Sequence, residues 1–270
     1  MHDTTPNDSA TQLAPEVPLI GALAGKIAIV TGASRGIGAV SARAFARAGA
    51  AVVLAARDQD AITAIAREIQ DAGGQAHPVP TDVGDPGSVR NLIAETVDRF
   101  GRLDVAFNNA GDAHLPARLA DIALEDFDRC IRVNLGGVFL AMKYEIAAML
   151  DGKGGAIVNM SSTAGVNGVP GMGAYAASKH GVIGLTRTAA IDYAGSAIRV
   201  NAIAPGPILT ERIAELPETV RVQIARSVPL GRLGDPEEVA AAAIWLCSDQ
   251  ASFITGATLP IDGARTSRNA

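Results

Sequence analysis

Several classes of protein are excluded by what this chain lacks. It has two cysteines, Cys130 and Cys247, far apart and at no metal-ligand spacing. No metal site is therefore expected, and a reduced, cytoplasmic compartment fits best. Basic residues do not cluster: 23 Lys and Arg stand against 28 Asp and Glu, for a net charge of −5. Binding a phosphate backbone needs grouped cations, so nucleic acid is excluded as a partner. No stretch reads as long and apolar enough to span a bilayer, so no membrane partner is expected either. The first 24 residues have no basic start, no apolar core and no arginine, which removes secretory and mitochondrial leaders. Polar and proline-dotted, with Asp3, Asp8 and Glu16, they are expected to form a mobile tail.

What is present is apolar and aliphatic. Aromatics make up 4% of a chain that is 48% apolar, enough for one large α/β domain or two small ones. Short apolar runs alternate with amphipathic segments throughout. Strands are predicted at 26–31, 51–55, 76–79, 103–107, 156–160, 198–203 and 257–261. Helices are predicted at 39–48, 61–72, 86–100 (N-capped by Asp85), 124–150, around Tyr175 and at 236–248. This β-α alternation demands a parallel sheet with helices on both faces. No composition break marks a second domain, so the boundaries are a tail at 1–24, one domain at 25–263 and a frayed end at 264–270.

The first strand runs into Thr31-Gly-Ala-Ser-Arg-Gly-Ile-Gly38 and then a helix. Strand, glycine loop and helix together set free N–H groups and a helix dipole against a pyrophosphate. The spacing is G-x-x-x-G-x-G rather than the common G-x-G-x-x-G. At the end of the second strand, where an adenosine ribose is usually met, stand Ala56 and Arg57 in place of a carboxylate. With Arg35 in the glycine loop, two guanidiniums favour a 2′-phosphate, hence NADP over NAD. Asp58, one step further, complicates this and keeps NAD open.

Tyr175 and Lys179 lie four apart, hence on one face of a helix. Moving a tyrosine from a pKa of about 10 to about 7 needs ~4 kcal/mol. One positive charge at ~4 Å supplies about that at an effective dielectric of ~20. The pair is thus a candidate proton donor and acceptor near neutral pH.

Taken in order, Thr31-Gly32-x-x-x-Gly36-x-Gly38, Asp82, Asn108-Asn-Ala-Gly111, Asn134, Ser162, Tyr175-x-x-x-Lys179 and Pro205-Gly206 with Thr210 resemble the short-chain dehydrogenase/reductase family, of carbonyl reductase or alcohol dehydrogenase type. The resemblance spans about 25–263. It implies a Rossmann-like, doubly wound α/β domain with a seven-stranded parallel sheet in the order 3-2-1-4-5-6-7. It also implies hydride transfer between a nicotinamide and a ketone or secondary alcohol. Tyr175 would be the general acid or base, and Lys179 would lower its pKa and hold the nicotinamide ribose. Ser162, with Ser161 as its rival by sequence alone, would bond the substrate oxygen. Asn134 would bend its helix and hold a water linking the lysine to solvent. The pyrophosphate falls to Gly32, Ser34, Arg35, Gly36, Ile37 and Gly38, and the adenine edge to Asp82 and Val83. Asn109, Ala110 and Gly111 would line the ribose and nicotinamide side. Pro205, Gly206 and Ile208 would lie against the nicotinamide, and Thr210 would bond its carboxamide. The family's habit of four-chain assembly implies a homotetramer.

The substrate space is expected between loops at 112–120, 163–173 and 207–228, with Leu115, Val166, Met172, Leu209, Ile213 and Leu216 as walls. These residues suit a small, mostly apolar ketone or alcohol. His114 and His180 are left outside the chemistry. Arg118, Arg212 and Arg232 are the cations available to a charged group. Two rival readings share the scaffold: an epimerase or dehydratase, and a nucleotide-binding protein without chemistry. The second usually lacks the serine, tyrosine or lysine, all present here.

Overall fold

The computed structural model describes residues 21–152 and 154–267. The elements are β1 (Ile27–Thr31), α1 (Gly36–Arg47), β2 (Ala51–Ala56), α2 (Gln59–Asp71), β3 (Gln75–Pro80), α3 (Pro86–Phe100), β4 (Val105–Asn108), α4 (Leu124–Cys130), α5 (Gly137–Leu150), β5 (Gly155–Met160), α6 (Gly173–Tyr193), β6 (Ile198–Pro205), α7 (Glu211–Ala214), α8 (Glu218–Arg226), α9 (Pro236–Cys247) and β7 (Thr258–Ile261). All strand pairs are parallel, and the order is β3-β2-β1-β4-β5-β6-β7, as the alternation and the resemblance require. Every residue of β2 is buried, which is why its sequence is an unbroken apolar run rather than an alternating one.

Each face of the sheet carries its own core. Phe45 of α1, Ile62 of α2 and Val239 and Ile244 of α9 pack on one side, where Phe45 stacks on Phe107 of β4 at 6.0 Å. Leu92 of α3, Val138, Met142 and Ile146 of α5 and Val182 of α6 pack on the other. The chain reverses its direction of strand addition between β1 and β4. That reversal opens a crevice at the carboxyl ends of these two strands, where ligands of such sheets bind.

Several sequence expectations need correction. The domain begins before residue 25: Leu23 is fully buried, and its N–H donates to Ala48 O at 2.9 Å. The tail expected at 1–20 lies outside the described residues. At the other end, Arg265–Ser267 is not frayed but forms a 3-10 turn, held by Thr266 N to Asp262 Oδ2 at 2.8 Å. The run 124–150 is interrupted at Ile131–Gly136 by a π-helical turn. The same run of 27 residues is long and apolar enough to cross a membrane, contrary to the sequence reading. In the fold it is a layer helix, with Val138, Ala141, Met142, Ile146 and Met149 buried. The expected loop 207–228 contains α7 and α8, which are four and nine residues long and leave no clear apolar period to detect. Among the small residues of α6, Gly181 serves packing within the chain, since a Cβ there would meet Leu135 Cδ1 at 2.8 Å; Gly184 faces open space.

Candidate active site

The glycine loop leaves β1 at Thr31 with Gly32 at φ +66° and Gly36 at φ +54°, conformations that favour glycine. Gly38 is required for another reason. A Cβ there would overlap Gly32 O and lie 2.6 Å from Asn109 Nδ2. Asn109 in turn donates to Thr31 O at 2.9 Å, and Ala110 N donates to Thr31 Oγ1 at 3.0 Å. The loops after β1 and β4 are thus stitched together across the crevice.

The start of α1 already attracts an anion. Gly36 N donates to Glu211 Oε1 at 3.3 Å, so a carboxylate stands where a phosphate oxygen would be received. Glycines without room for a Cβ and a helix start receiving a negative oxygen fit a dinucleotide pyrophosphate. Glu211→Gln is expected to tighten dinucleotide binding several-fold, because a like charge beside the phosphates is removed. Titration of nucleotide fluorescence checks this, and unchanged affinity would show that the carboxylate does not compete.

The other cofactor candidates surround the same crevice. Ser34 and Ile37 are partly buried, and Ile37 packs on the core. Arg35 and Arg57 are exposed, and the ion pairs among the described residues are made by other side chains. Asp58 caps α2, accepting Ala61 N at 3.0 Å, so its carboxylate already has a backbone partner. Asp82 accepts Gly84 N at 2.9 Å and shapes its own turn, while Val83 sits against Gly137, at 2.9 Å from where a Cβ would be. Pro205 ends β6, and Gly206 N donates to Ile261 O at 3.0 Å. Ile208 is buried, and Thr210 Cγ2 lies 3.4 Å from the Cβ position of Gly36. The structure therefore brings Thr210 to the glycine loop.

The four candidate catalytic residues come from three elements around Gly111. Lys179 of α6 is buried; its Nζ lies 5.6 Å from the centre of the Tyr175 ring and donates to Met160 O at 2.9 Å. A Cβ on Gly111 would be 3.4 Å from that Nζ and 3.2 Å from Asn134 Oδ1. Ser162 caps the turn after β5 and faces the Tyr175 hydroxyl. Ser161 is buried and donates to Lys179 O at 3.0 Å, the backbone-bonding role that separates it from Ser162. Asn134 is buried within the π turn, not a surface polar residue. Its Oδ1 accepts Asp112 N at 2.7 Å, and its Nδ2 donates to Asp112 O at 2.8 Å and to Ser178 Oγ at 3.0 Å.

The electrostatics differ from the sequence expectation. Burial pushes the Tyr175 phenol above its ordinary value, although the Ser162 hydroxyl and then the Arg212 charge pull it down. The lysine is not what sets it, because its amine lies under the ring and points to Met160 O. Lys179 itself is lowered to about 8 by burial. Below that pH the folded chain bears the full cost of a buried ammonium. The cost is relieved as pH rises from about 8 towards 10.5, where the unfolded chain still holds the proton.

Sequence reasoning missed Asp112. Its carboxylate pairs with Arg129 of α4 at 2.8 Å while its backbone holds Asn134, so it fixes the loop after Gly111 to the π turn. Its position directly after Asn-Ala-Gly was the available signal. Glu211 was missed because its partner lies 175 residues away. Of the expected walls, Leu115, Val166, Leu209 and Leu216 are exposed, and Met172 and Ile213 are partly buried. Two of the three loops are joined by Ala117 N to Gly171 O at 3.0 Å. His114 is buried, with its Nδ1 2.7 Å from Leu115 O, and His180 is exposed, with its Nδ1 2.9 Å from Ala176 O. Arg118 is exposed, Arg232 pairs with Glu238 at 2.7 Å, and Arg212 alone of the three influences Tyr175.

A family model described as enoyl-(acyl carrier protein) reductase matches residues 32–265. Cis-4-hydroxycyclohexanecarboxylate dehydrogenase of Sinomonas cyclohexanicum is 46% identical over 245 residues, covering 91% of this chain and 98% of that protein. Cyclohexanol dehydrogenase of Acinetobacter sp. (strain SE19) is 42% identical over 243 residues, covering 90% and 96%. A crystal structure of a short-chain type dehydrogenase/reductase from Mycobacterium marinum superposes with a TM-score of 0.86 at 38% identity, covering 93% of this chain and 99% of that one.

Proposed function

The chain belongs to the short-chain dehydrogenase/reductase family, and from that premise we propose that it interconverts a cyclic secondary alcohol and its ketone with NADP(H). The observation that carries this reading is the convergence of Ser162, Tyr175 and Lys179 on one cleft beside Gly111 and the glycine loop. A bound nicotinamide dinucleotide supplies or accepts the hydride. Gly32–Gly38 receives its pyrophosphate, Asn109–Gly111 and Lys179 its nicotinamide ribose, and Pro205, Gly206, Ile208 and Thr210 its nicotinamide. Asp82 and Val83 take the adenine edge.

During reduction Tyr175 gives its proton to the carbonyl oxygen, and Ser162 donates a hydrogen bond to the same oxygen as negative charge builds there. In oxidation both steps run backwards. Asn134 keeps the loop at Gly111 and Asp112 in place against α6. The substrate class is supported by the six-membered alicyclic alcohols in the names of two relatives. Purified protein offered cyclohexanone-type ketones with NADPH or NADH tests the reading, and no oxidation of either nucleotide across the panel would overturn it.

Preference for NADP rests on Arg57 and Arg35, both exposed, and on Asp58 being occupied as a helix cap. Arg57→Ala is expected to weaken NADPH roughly 10-fold or more, the worth of a charge-assisted hydrogen bond, with little change for NADH. Equal losses for both nucleotides in steady-state KM would remove the 2′-phosphate from that position. Two buried free cysteines support a reducing, cytoplasmic location. Exposed Phe139 and Leu150 on α5 and Ile191 on α6 support assembly into a homotetramer, which light scattering can measure.

A further inference from the structure

Glu145 of α5 is fully buried and takes no part in the cleft just described. Its Oε2 accepts Asn108 Nδ2, at the end of β4, at 2.9 Å. The same Nδ2 reaches Asn159 Oδ1 on β5 at 3.0 Å, and Asn159 Nδ2 donates to Thr186 Oγ1 on α6 at 3.0 Å. Buried polar side chains therefore run unbroken from α5 across two central strands to α6. Two of its members lead to the cleft. Asn108 is followed directly by Asn109–Gly111, and Thr186 lies two turns beyond Lys179 on the buried face of the same helix.

Among the described residues, two oxygens in this chain of bonds have no partner: Glu145 Oε1 and Asn108 Oδ1. They belong to the two side chains already joined by one hydrogen bond. With the carboxyl ionised, both atoms are acceptors and neither can satisfy the other. A proton on Glu145 would turn Oε1 into a donor, the one change that lets it offer a bond to the unpartnered Asn108 Oδ1. Burial favours the same state, raising the Glu145 carboxyl to about 7 against the pull of the Asn108 amide. No charged side chain contributes to that shift. Arg90, Glu95, Asp98 and Arg99 of α3, Lys143 and Tyr144 of α5, and Arg187 and Asp192 of α6 are exposed or partly exposed, and the buried Lys179 amine turns to Met160 O.

We propose that Glu145 is a positioning residue for the hydride transfer: as a carboxylic acid paired with the Asn108 amide, it fixes the cofactor loop against the helix that carries Tyr175 and Lys179. The inference rests on the dinucleotide reading above. From pH 4.5 to about 7 the folded chain keeps a proton that the unfolded chain releases, so this group's contribution to stability is lost as pH rises through that window.

The test is dinucleotide affinity, by NADPH and NADH fluorescence, of wild type, Glu145→Gln and Glu145→Leu at about pH 5.5 and about pH 7.5, on either side of the Glu145 titration and below that of Lys179. Glutamine offers an N–H donor and a C=O acceptor at every pH. Wild-type affinity should fall roughly five-fold across the range, the worth of one hydrogen bond, while Glu145→Gln stays nearly flat and Glu145→Leu binds weakly at both ends. Infrared spectra of the wild type should show the carbonyl band of a protonated acid at the lower pH and lose it at the higher. This measurement decides the matter even where a variant does not fold. Parallel pH curves for wild type and Glu145→Gln, or a dinucleotide-binding wild type without the acid band, would overturn the proposal alone. A wild type that binds no dinucleotide overturns the functional reading with it.

Discussion

Tyr175→Phe is expected to lower turnover by about 10²–10⁴-fold, the usual contribution of a positioned proton donor, and to leave dinucleotide affinity within about two-fold. Phenylalanine keeps the ring that covers the Lys179 amine, so the cleft retains its shape. Only the hydroxyl facing Ser162 is lost. The wild-type pH profile should carry the signature of the same assignment. With the phenol raised by burial, Tyr175 is a loaded acid throughout the neutral range, and reduction needs nothing further from it. Oxidation needs the proton gone, so its rate should climb as pH rises. Reduction should weaken above about 8, where Lys179 sheds its charge. Stopped-flow separation of binding from turnover checks the variant. Retained turnover in Tyr175→Phe would mean that another group delivers the proton, and the arrangement around Ser162 would need a different use.

Much of this was legible from local chemistry. The strand β2, the cap of α3 by Asp85 and the glycine loop each depend on neighbours in sequence, where period, turn residues and capping speak directly. Strand order was not local; it came with the family resemblance and was then met by the register of every pair. What stayed hidden depended on distance. The carboxylate of Glu211 meets α1 only because the chain after β6 returns over the crevice, and α7 is too short to show a period. Nothing local marks Glu145, because its partner Asn108 stands 37 residues away on β4. The expected downward shift of the Tyr175 phenol is not met for a related reason. Spacing put Lys179 one turn from Tyr175, which is correct, but spacing says nothing of where the amine points or how dry the site is. Those two facts, supplied by Met160 O and by burial, reverse the direction of the shift.

Gly38→Ala gives the widest separation between what local propensity and what packing anticipate. Gly38 lies inside α1 and is not among the residues at positive φ, so alanine is conformationally allowed there. Propensity alone would credit the change with about 1 kcal/mol of stabilisation. The fold denies it the space. Its Cβ would overlap Gly32 O and press on Asn109 Nδ2 at 2.6 Å, and neither can yield freely. Gly32 O is backbone in a turn already at φ +66°, and the Asn109 amide is held by Thr31 O. Forcing even one methyl into such a site costs about 1–3 kcal/mol, which in a domain of this size lowers the melting temperature by roughly 2–12 °C. The displaced loop is the one that faces the pyrophosphate, so dinucleotide binding should fall further than stability does. Gly73→Ala is the matched control: no atom lies within 4 Å of its Cβ position, but φ is +85°. It should cost about 1–2 kcal/mol through backbone conformation and leave binding untouched. A Gly38→Ala protein that melts at or above the wild type, with unchanged affinity for NADPH, would show that α1 and the loop after β4 are not in contact, and the cofactor crevice drawn here would have to be opened.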